Sequence, residues 1–453
     1  MHRLSRTRNF NDERGQILLL AAMFMTIFIG LVGLVVDAGF LYAQRRQAQN
    51  GADAAALAGA QRLWEGGSSA DATSAAFSYA NDNGYDSSQT QVNLLPAGSP
   101  TAVEVIVEEE PTSFFIHAIL PGSSTVRARA VADTVEIPAE YGLLILGEGS
   151  CGRGQSEGYD QTGRADLIIE DGGAMINTEC ADALRKRGSS NFIADGGIDV
   201  TGGADIGGSG VVEPNPRDYV PWQTDDPLAA LEPPTPGAPA DGSTGTAASP
   251  DTLRINSPGN YTLAAGTYYG GVRINCSNCT VTLESGIHIM AGGGFTLAGS
   301  PVIRDDGGDG VLLYVTDCNG PNDPVPTEPD GPPTCSGDGE AEPFDIQGSA
   351  EINLTGLLYC APFGPPCSSP YENTRITFWQ DAAIHDQIRF SGDASGTTGI
   401  WYFPGAELVA VGGSTFGTGQ IIVDSFTTAG GGPIHITYES FVEIVLPLVV
   451  LIE

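Results

Sequence analysis

Hydrophobic side chains form one long run near the start of the chain. Residues 17–36 are 20 residues without a charged side chain, and Thr26 is their only polar side chain. A helix of this length is about 30 Å long, which matches the thickness of the hydrocarbon core of a bilayer. The run therefore predicts a transmembrane helix over residues 16–36.

Two features of the run predict a retained, oriented anchor. It is longer than the apolar region of a signal peptide, which is typically about 7–15 residues. Four arginines precede the run, and only Arg45 and Arg46 follow it closely. The positive-inside rule then predicts a single-pass protein of the cell membrane, with a basic cytoplasmic stub at 1–15 and everything after Asp37 outside the cytoplasm.

The helical pattern continues beyond the membrane. Residues 37–66 are rich in helix formers and predict an alanine-rich stalk helix. Small residues recur in it at spacings of three and four, namely Ala48, Ala52, Ala55, Ala56 and Gly59. This narrow face would allow another helix to approach closely, or it would pack against the stalk's own domain. The sequence favours neither alternative.

Residues 67–140 show the pattern of a small α+β head. The pattern predicts a helix at 69–83, strands at 90–95, 102–108 and 125–135, and a short helix from Pro111 through Ile119. Gly84 supplies the C-terminal cap of the first of these helices. A long N-terminal helix followed by a small helix–sheet head resembles a pilin-like layout.

Beyond residue 140 the pattern changes to short apolar strands, which recur about every 8–20 residues and end in Gly, Asp, Asn or Ser. Such a region folds as an all-β sandwich or as a parallel β-solenoid. Residues 285–300 and 398–414 share one shape (strand, Gly-rich corner, strand), which favours the solenoid. We expect a right-handed parallel β-solenoid over 141–210 and 251–453, in which each turn stacks on its neighbours.

Proline-rich segments and an apolar tail interrupt or end this pattern. Residues 211–250 contain nine prolines and no strand-like run, which predicts a linker or a long loop over the solenoid. The insertion at 319–343 contains six prolines between Cys318 and Cys335 and predicts a surface loop. The tail at 441–453 is apolar but too short to cross a bilayer, so we expect a terminal strand or cap.

The N-terminal motif resembles a known family. It is similar to the TadG-like amino-terminal domain of the Flp (Tad) pilus-assembly proteins, over about residues 12–62. The matching positions are Gly15, Asp37, Gly39, Arg45 (or Arg46), Gln49, Asp53, Ala54, Ala55, Leu57 and Gly59. The resemblance implies a single-pass envelope protein without enzymatic activity, whose partners are other pilus-assembly or envelope proteins.

One position departs from the pattern of processed pilins. Pilins and pseudopilins that a prepilin peptidase cuts carry Glu five residues after the processing glycine, whereas Leu20 stands five residues after Gly15 here. We therefore expect an uncut anchor.

Composition agrees with an exported acidic β region. The chain has 20 basic and 55 acidic residues, a net charge of −35, and 61 glycines among 453 residues. So few basic residues exclude a generic nucleic-acid binder, which needs basic patches to neutralise phosphates. Most glycines lie beyond residue 140, where tight corners need positive φ. This region also resembles the Gly-rich β-helix regions that follow TadG-like anchors.

All eight cysteines lie in the β region: Cys151, Cys180, Cys276, Cys279, Cys318, Cys335, Cys360 and Cys367. An even number outside the cytoplasm predicts disulfides, and nearest neighbours would pair as 151–180, 276–279, 318–335 and 360–367. A metal or redox site at Cys276 and Cys279 is the alternative, although a zinc site needs a second close pair.

Candidate chemistry is otherwise sparse, and we expect no catalytic residue, cofactor or metal. Clustered carboxylates on the turn at 305–310 suggest Ca²⁺, but their spacing is not that of an EF-hand. Aromatic residues that could bind a glycan are better explained as core, namely Tyr268, Tyr269, Trp379 and Trp401.

Two functions follow from the sequence. The favoured one is a non-enzymatic, membrane-anchored envelope protein of the Flp/Tad type, which displays its solenoid for pilus assembly or for adhesion to a surface ligand or glycan. The alternative is a secreted or anchored polysaccharide lyase or hydrolase, because β-solenoids include such enzymes. Its acids, bases and cations would be Asp381, His385, Asp386 and Arg389.

Overall fold

The computed structural model describes residues 13–96, 98, 100–111, 115, 125–147, 151, 158–318, 341–363 and 366–452. The chain divides into two units. We call Met1–Glu136 with Pro447–Glu453 the helical unit and Ile137–Leu446 the β unit.

The described part of the helical unit consists of two helices and a four-stranded sheet. Its elements are α1 (Glu13–Trp64), α2 (Ser69–Asp82), β1 (Thr90–Leu95), β2 (Ala102–Glu109), β3 (Val126–Ala139) and the chain's last strand, β27 (Ile444–Leu451). The sheet order is β1-β2-β3-β27, and both β1–β2 and β2–β3 are antiparallel. The long apolar helix, the second helix and the mostly β remainder confirm the predicted secondary structure.

Local sequence explains where the two helices begin and end. Gly66 follows α1 with a φ of 77°, a conformation that side chains disfavour. Ser68 then caps α2: its hydroxyl accepts the Asp71 N–H, and the Asp71 carboxylate accepts the Ser68 N–H at 2.9 Å. The predicted helix from Pro111 through Ile119 lies outside the described residues, except for Pro111 and Phe115.

The second half of α1, predicted as a stalk over 37–66, lies in the same unit as the residues predicted as a head. The second half of α1 packs on α2, β2 and β3 around one cluster of buried alanines and valines. Because the small side chains of α1 face inward, this part of the helix belongs to the head.

Among its described residues, the β unit contains 23 strands. They are β4 (Tyr141–Ile145), β5 (Tyr159–Gln161), β6 (Leu167–Glu170), β7 (Gly173–Ile176), β8 (Leu184–Lys186), β9 (Phe192–Ala194), β10 (Ile198–Val200), β11 (Ala204–Ile206), β12 (Val212–Glu213), β13 (Leu253–Ile255), β14 (Gly259–Leu263), β15 (Gly266–Tyr269), β16 (Val272–Leu283), β17 (Gly286–Ala291), β18 (Phe295–Asp305), β19 (Val311–Thr316), β20 (Phe344–Asn353), β21 (Leu357–Leu358), β22 (Arg375–Gln380), β23 (Ile388–Asp393), β24 (Thr398–Val411), β25 (Thr415–Ala429) and β26 (Ile434–Tyr438).

All of these strands except β21 pair in three ladders, and every pairing within a ladder is parallel. Strand β21 instead pairs antiparallel with β22. Ladder A runs β15-β17-β19-β22-β24-β25-β4-β7-β10. Ladder B runs β13-β16-β18-β20-β23-β24-β25-β5-β8-β11. Ladder C runs β14-β16-β18-β20-β23-β25-β26-β6-β9-β12. Long strands such as β16 and β18 contribute to two ladders.

The order of strands in the ladders differs from their order in the chain. The chain enters the β unit at β4, which pairs with β25 in the middle of ladder A. It then runs outward to β10, β11 and β12, and resumes with β13–β15 at the opposite end of the ladders. Within each part the strands of a ladder follow their order in the chain, but the two parts join in the reverse of their chain order.

Residues 217–240, which we call the strap, connect the two ends of ladder A. In chain order the strap contacts Asp199 in β10, Asn177 after β7, Tyr402 in β24 and Thr267 in β15. It is a packed segment, because Val220, Leu228 and Leu231 are all buried. Just before the strap, Val212–Glu213 forms β12, although the proline-rich sequence predicts no strand there.

Ladder A is apolar on both faces, whereas ladder B is apolar on one. In β19, Leu313 belongs to the interior cluster shared by the three ladders, and Leu312 and Tyr314 belong to a second cluster beneath the strap. In β16, buried Val272 and Ile274 alternate with exposed Arg273. Alternate residues of a strand face opposite sides, so ladder A needs a cover on its outer face, and the strap supplies part of that cover.

Corners between ladders require glycine where two turns meet closely. Gly299 has a φ of 83°, and a Cβ there would lie 2.6 Å from the carbonyl oxygen of Cys276. Gly348, stacked on it with a φ of 89°, would place a Cβ 2.4 Å from the carbonyl oxygen of Gly299. Since the obstacles are backbone atoms, no side chain fits either position.

Candidate membrane anchor and packing face

The first half of α1 exposes apolar side chains on all sides. Leu18, Phe24 and Val35 are 76%, 69% and 72% exposed. The hydroxyl of Thr26 donates to the carbonyl oxygen of Ala22 at 2.9 Å, so the helix satisfies this polar group internally, as a lipid environment requires. By length and composition this helix can cross a membrane.

One contact covers the end of this apolar surface. Gly33 is buried because the ring of Phe115 lies on it, and a Cβ on Gly33 would be 2.7 Å from Phe115 Cγ. One turn later, the fully buried Asp37 accepts the Phe115 N–H at 2.8 Å. The sequence singled out Asp37 through the family motif but missed Gly33 and Phe115. The signal that could have found them is the absence of any charged residue from 111 to 126.

Two further motif residues fasten α1 to the sheet. Gln49 Nε2 donates to Asp53 Oδ1 at 2.7 Å and to the carbonyl oxygen of Arg129 in β3 at 2.9 Å. Arg129 Nε also pairs with Glu104 in β2 at 2.6 Å. Hydrogen bonds from Asn93 and then Arg129 hold the pKa of the Glu104 carboxyl below its usual range. This network joins the helix, β3 and β2.

The small-residue face of α1 packs on the helical unit's own α2 and β2. Ala48, Ala52, Ala55, Ala56 and Ala60 are all fully buried in that cluster. A Cβ on Gly59 would lie 2.9 Å from Val103 Cγ1 and 3.2 Å from the carbonyl oxygen of Ala72. Of the two alternatives that the sequence left open, the structure shows packing within the domain.

The remaining motif positions do not converge on one point. Arg45 and Arg46 are exposed, Ala54 and Leu57 are half-buried, and a Cβ on Gly39 would meet open space. Gly15 lies in α1 near its start. The motif residues are therefore distributed along the helix, with roles in packing at some positions and exposed surface at others.

The four residues of the enzyme alternative are not brought together. Asp381 is buried beside ladder A, where it accepts hydrogen bonds from the Tyr314 hydroxyl at 2.7 Å and the Thr316 hydroxyl at 3.2 Å. His385, Asp386 and Arg389 are exposed. His385 Nδ1 donates to the carbonyl oxygen of Gly405 at 2.9 Å. The Asp381 carboxylate is buried and accepts hydrogen bonds from two hydroxyls, whereas the other three side chains are exposed. The four residues therefore do not form an acid–base pair.

The aromatic residues proposed as core are core. Tyr268, Tyr269, Trp379 and Trp401 are each at most 6% exposed. The two tryptophans pack against other rings, as in the contact of Trp379 with Tyr314 at a centroid separation of 5.4 Å.

Three disulfides lie among the described residues, and each joins nearest neighbours in the sequence. The Cα–Cα separations are 5.4 Å for Cys151–Cys180, 6.0 Å for Cys276–Cys279 and 5.7 Å for Cys360–Cys367. These separations fall within the usual range of about 4.4–6.8 Å. Cys276 and Cys279, the residues of the alternative metal or redox site, are thus bonded to each other through their sulfurs. The fourth predicted pair includes Cys335, which lies outside the described residues.

The carboxylates of the turn at 305–310 are used in local hydrogen bonds. Asp305 accepts the Thr355 N–H at 2.7 Å, and Asp306 accepts the Ser285 hydroxyl at 2.6 Å. The hydrogen bonds from Ser285 hold the pKa of Asp306 below its usual range. Within the described part of the chain, no group of three or more His, Cys, Asp or Glu side chains could hold a metal ion. Calcium binding at this turn stays a prediction.

Comparison with known proteins supports the N-terminal resemblance. Residues 15–62 match the family model described as putative Flp pilus-assembly TadE/G-like, which confirms that resemblance over about a tenth of the chain. No curated protein matches the chain. The crystal structure of the competence-associated pilin ComZ from Thermus thermophilus aligns at 10% identity and a TM-score of 0.26, covering 83% of this chain and 89% of ComZ. A TM-score this low carries no argument about fold or function.

Proposed function

We propose that this chain is a membrane-anchored protein of the cell envelope that takes part in Flp/Tad pilus assembly. The observation that carries the proposal is the match at residues 15–62, which coincides with one continuous helix. Its first half is exposed and apolar, and its second half is packed into a folded unit. Such a helix serves as anchor and as structural support of the unit outside the membrane.

The orientation follows from charge. The arginines before residue 15 stay in the cytoplasm, α1 crosses the membrane once over residues 17–36, and both units lie outside the cytoplasm. Disulfides in the β unit support this orientation, because they persist in oxidising compartments.

The β unit is the displayed part, and we propose that it is a right-handed parallel β-solenoid. Three ladders of parallel pairs support a solenoid over a sandwich, whose sheets are antiparallel. Its acidic surface favours solubility, and it would contact assembly partners, a surface ligand or a glycan. Since Asp381 is buried and the other three enzyme candidates point outward, we propose display rather than catalysis.

Protease access tests the orientation. With an epitope tag before Met1, protease added to spheroplasts should remove both units and leave a tagged fragment of the stub and membrane helix. Lysed spheroplasts should lose the tag as well, which provides the control for protease activity. Protection of the β unit in intact spheroplasts would contradict the proposed topology.

Gene replacement tests the pilus role. Cells that lack the protein should lose surface pili and attachment, counted by electron microscopy and by adhesion to a surface. Cells carrying His385→Ala with Asp386→Asn should keep both, because display needs no acid or base at these exposed positions. Unchanged pili in the deletion strain would refute the pilus role and leave the membrane anchor intact.

A further inference from the structure

We propose that the Phe115 side chain lies in the lipid of the outer membrane–water interface, so that the helical unit contacts the membrane at a second point beside α1. The inference rests on the proposed function, in which residues 17–36 cross the bilayer. It assigns a partner, the lipid, to a residue of the head that lies outside the family match.

The depth of Phe115 follows from its contact with Gly33. Gly33 lies three residues before Val36, the end of the apolar run, which is about 4.5 Å along a helix. The Phe115 ring rests on Gly33, with Cγ 2.7 Å and Cδ1 2.9 Å from the position of an added Cβ. If residues 17–36 fill the hydrocarbon core, this ring is held at its outer edge.

The chemistry of Phe115 fits lipid. The residue remains 44% exposed although its ring packs on Gly33. It thereby extends the apolar surface of the helix, where neighbouring Leu34 and Val36 are 38% and 41% exposed. Aromatic and aliphatic side chains on one face are typical of segments that lie in the membrane interface.

The backbone N–H of Phe115 also has a hydrogen-bond partner, as a position with little access to water requires. An N–H without a partner costs several kcal/mol in lipid, and here Asp37 Oδ2 accepts it at 2.8 Å. Residues 111–126 carry no Asp, Glu, Lys or Arg, in a chain whose net charge is −35. This stretch therefore adds no charge that anionic lipids would repel.

Tryptophan quenching tests the inference. The full-length Phe115→Trp variant is reconstituted into phosphatidylcholine–phosphatidylglycerol vesicles with brominated acyl chains, which quench tryptophan within the bilayer. The Phe115→Trp variant emits additional fluorescence compared with the parent protein. We expect this additional fluorescence to be blue-shifted and to be quenched by the brominated lipid. The native Trp64 lies about 42 Å along the helix beyond Val36, so it stays unquenched.

Two control variants separate this inference from the proposed function. Phe28 is 66% exposed within the apolar run, so Phe28→Trp should be quenched; Phe363, 53% exposed in the β unit, should give an unquenched Phe363→Trp. Quenching at 28 but not at 115 overturns the interfacial contact and leaves the anchor. Quenching at neither position overturns the anchor as well, and equal quenching at 115 and 363 overturns the specific contact.

A paired substitution tests the role of Gly33. In the Phe115→Trp protein, Gly33→Leu should displace the ring and reduce the quenching, whereas Gly30→Leu should not, because a Cβ on Gly30 meets nothing within 4 Å. Equal quenching in both would overturn the assigned depth.

Lipid cross-linking tests the inference without a substitution, should Phe115→Trp fail to fold. The unsubstituted protein is cross-linked to lipids with a photoreactive acyl chain. An adduct on Phe115 supports the inference, and adducts confined to α1 overturn it.

Discussion

The helical unit fills its interior with alanine and valine, whereas the β unit fills its interior largely with aromatic and long aliphatic side chains. In the helical unit the backbones of α1, α2 and β2 approach so closely that Gly59 has no room for a Cβ. In the β unit the interior holds larger side chains, and the Phe344 ring contacts the rings of Phe378 and Phe403. The helical unit should therefore be sensitive to added volume and the β unit to lost volume.

The largest expected effect is loss of a ring from the β unit. Phe344 is 1% exposed and packs against Phe295, Phe378 and Phe403. Phe344→Ala should lower the free energy of unfolding of the β unit by about 3–5 kcal/mol, because the cavity cannot fill. Denaturant titration followed by tryptophan fluorescence measures the loss, since three of the four tryptophans lie in this unit.

An exposed phenylalanine of the same unit provides the control. Phe363 is 53% exposed and stacks only partly on Tyr371, so Phe363→Ala should cost about 1 kcal/mol or less. Equal losses for the two variants would show that ring burial does not distinguish these sites, and the contrast between the units would lose its basis.

The helical unit should show the opposite sensitivity. Gly59→Leu should destabilise it by about 2 kcal/mol, because the new side chain collides with Val103 and the Ala72 carbonyl oxygen. Gly39→Leu, where a Cβ meets nothing within 4 Å, should instead gain slightly from helix propensity. Hydrogen exchange of the α2 amides in vesicle-bound protein measures both. Faster exchange in both variants, or in neither, would contradict close packing as the cause.

Removing a polar contact of the strap should cause a smaller loss of stability than the substitutions above. Asp199 is fully buried, and Arg217, at the start of the strap, donates to it at 2.6 and 2.7 Å. Arg217→Met should destabilise the β unit by roughly 1.5 kcal/mol, a low value for a charged hydrogen bond because the Arg217 side chain is 62% exposed.

An exposed ion pair in the same unit controls for charge alone. The Arg187–Asp205 pair is about half exposed on both sides, so Arg187→Met should cost between about 0 and 1 kcal/mol. Limited proteolysis within the strap should increase only for Arg217→Met. Equal proteolysis of the two variants would mean that this pair does not hold the strap.

Sequence patterns predicted individual elements well, because their causes are local. The apolar run over 17–36, the helix predicted at 69–83 and the alternation in β2 each depend on residues within one or two turns. The small face of α1 was equally visible, but its partner was not. Spacing shows that close packing is intended, and only the folded chain shows that α2 and β2 supply the surface.

What the sequence could not predict depends on residues far apart in the chain. Strand β4 pairs with β25, more than 270 residues later, and an apolar strand pattern carries no information about which neighbour it selects. The sequence identifies the strap only as a proline-rich segment. Its packing could not be predicted, because that packing depends on the outer face of ladder A. Likewise, Gly33 is an ordinary residue of an apolar helix until Phe115 lies on it.

Acid sensitivity gives the smallest expected effect and concerns the polar contacts of the helical unit. The pKa of Glu104 is lowered by the Asn93 hydrogen bond and by Arg129, so the ionised carboxylate stabilises the fold. This contribution is complete above its unfolded pKa of about 4.3 and is lost as pH falls through the lower folded pKa. Glu104→Gln should cost about 1 kcal/mol at pH 7, and its difference from the parent should shrink below pH 4 or so. Hydrogen exchange of β2 amides across this pH range measures the difference in stability.

Glu108→Gln provides the control, because Glu108 forms an exposed pair with Arg127 on the neighbouring strand β3. This substitution should change the stability little at any pH. A matching pH dependence for Glu108→Gln would assign the effect to general charge and not to the Glu104 contacts.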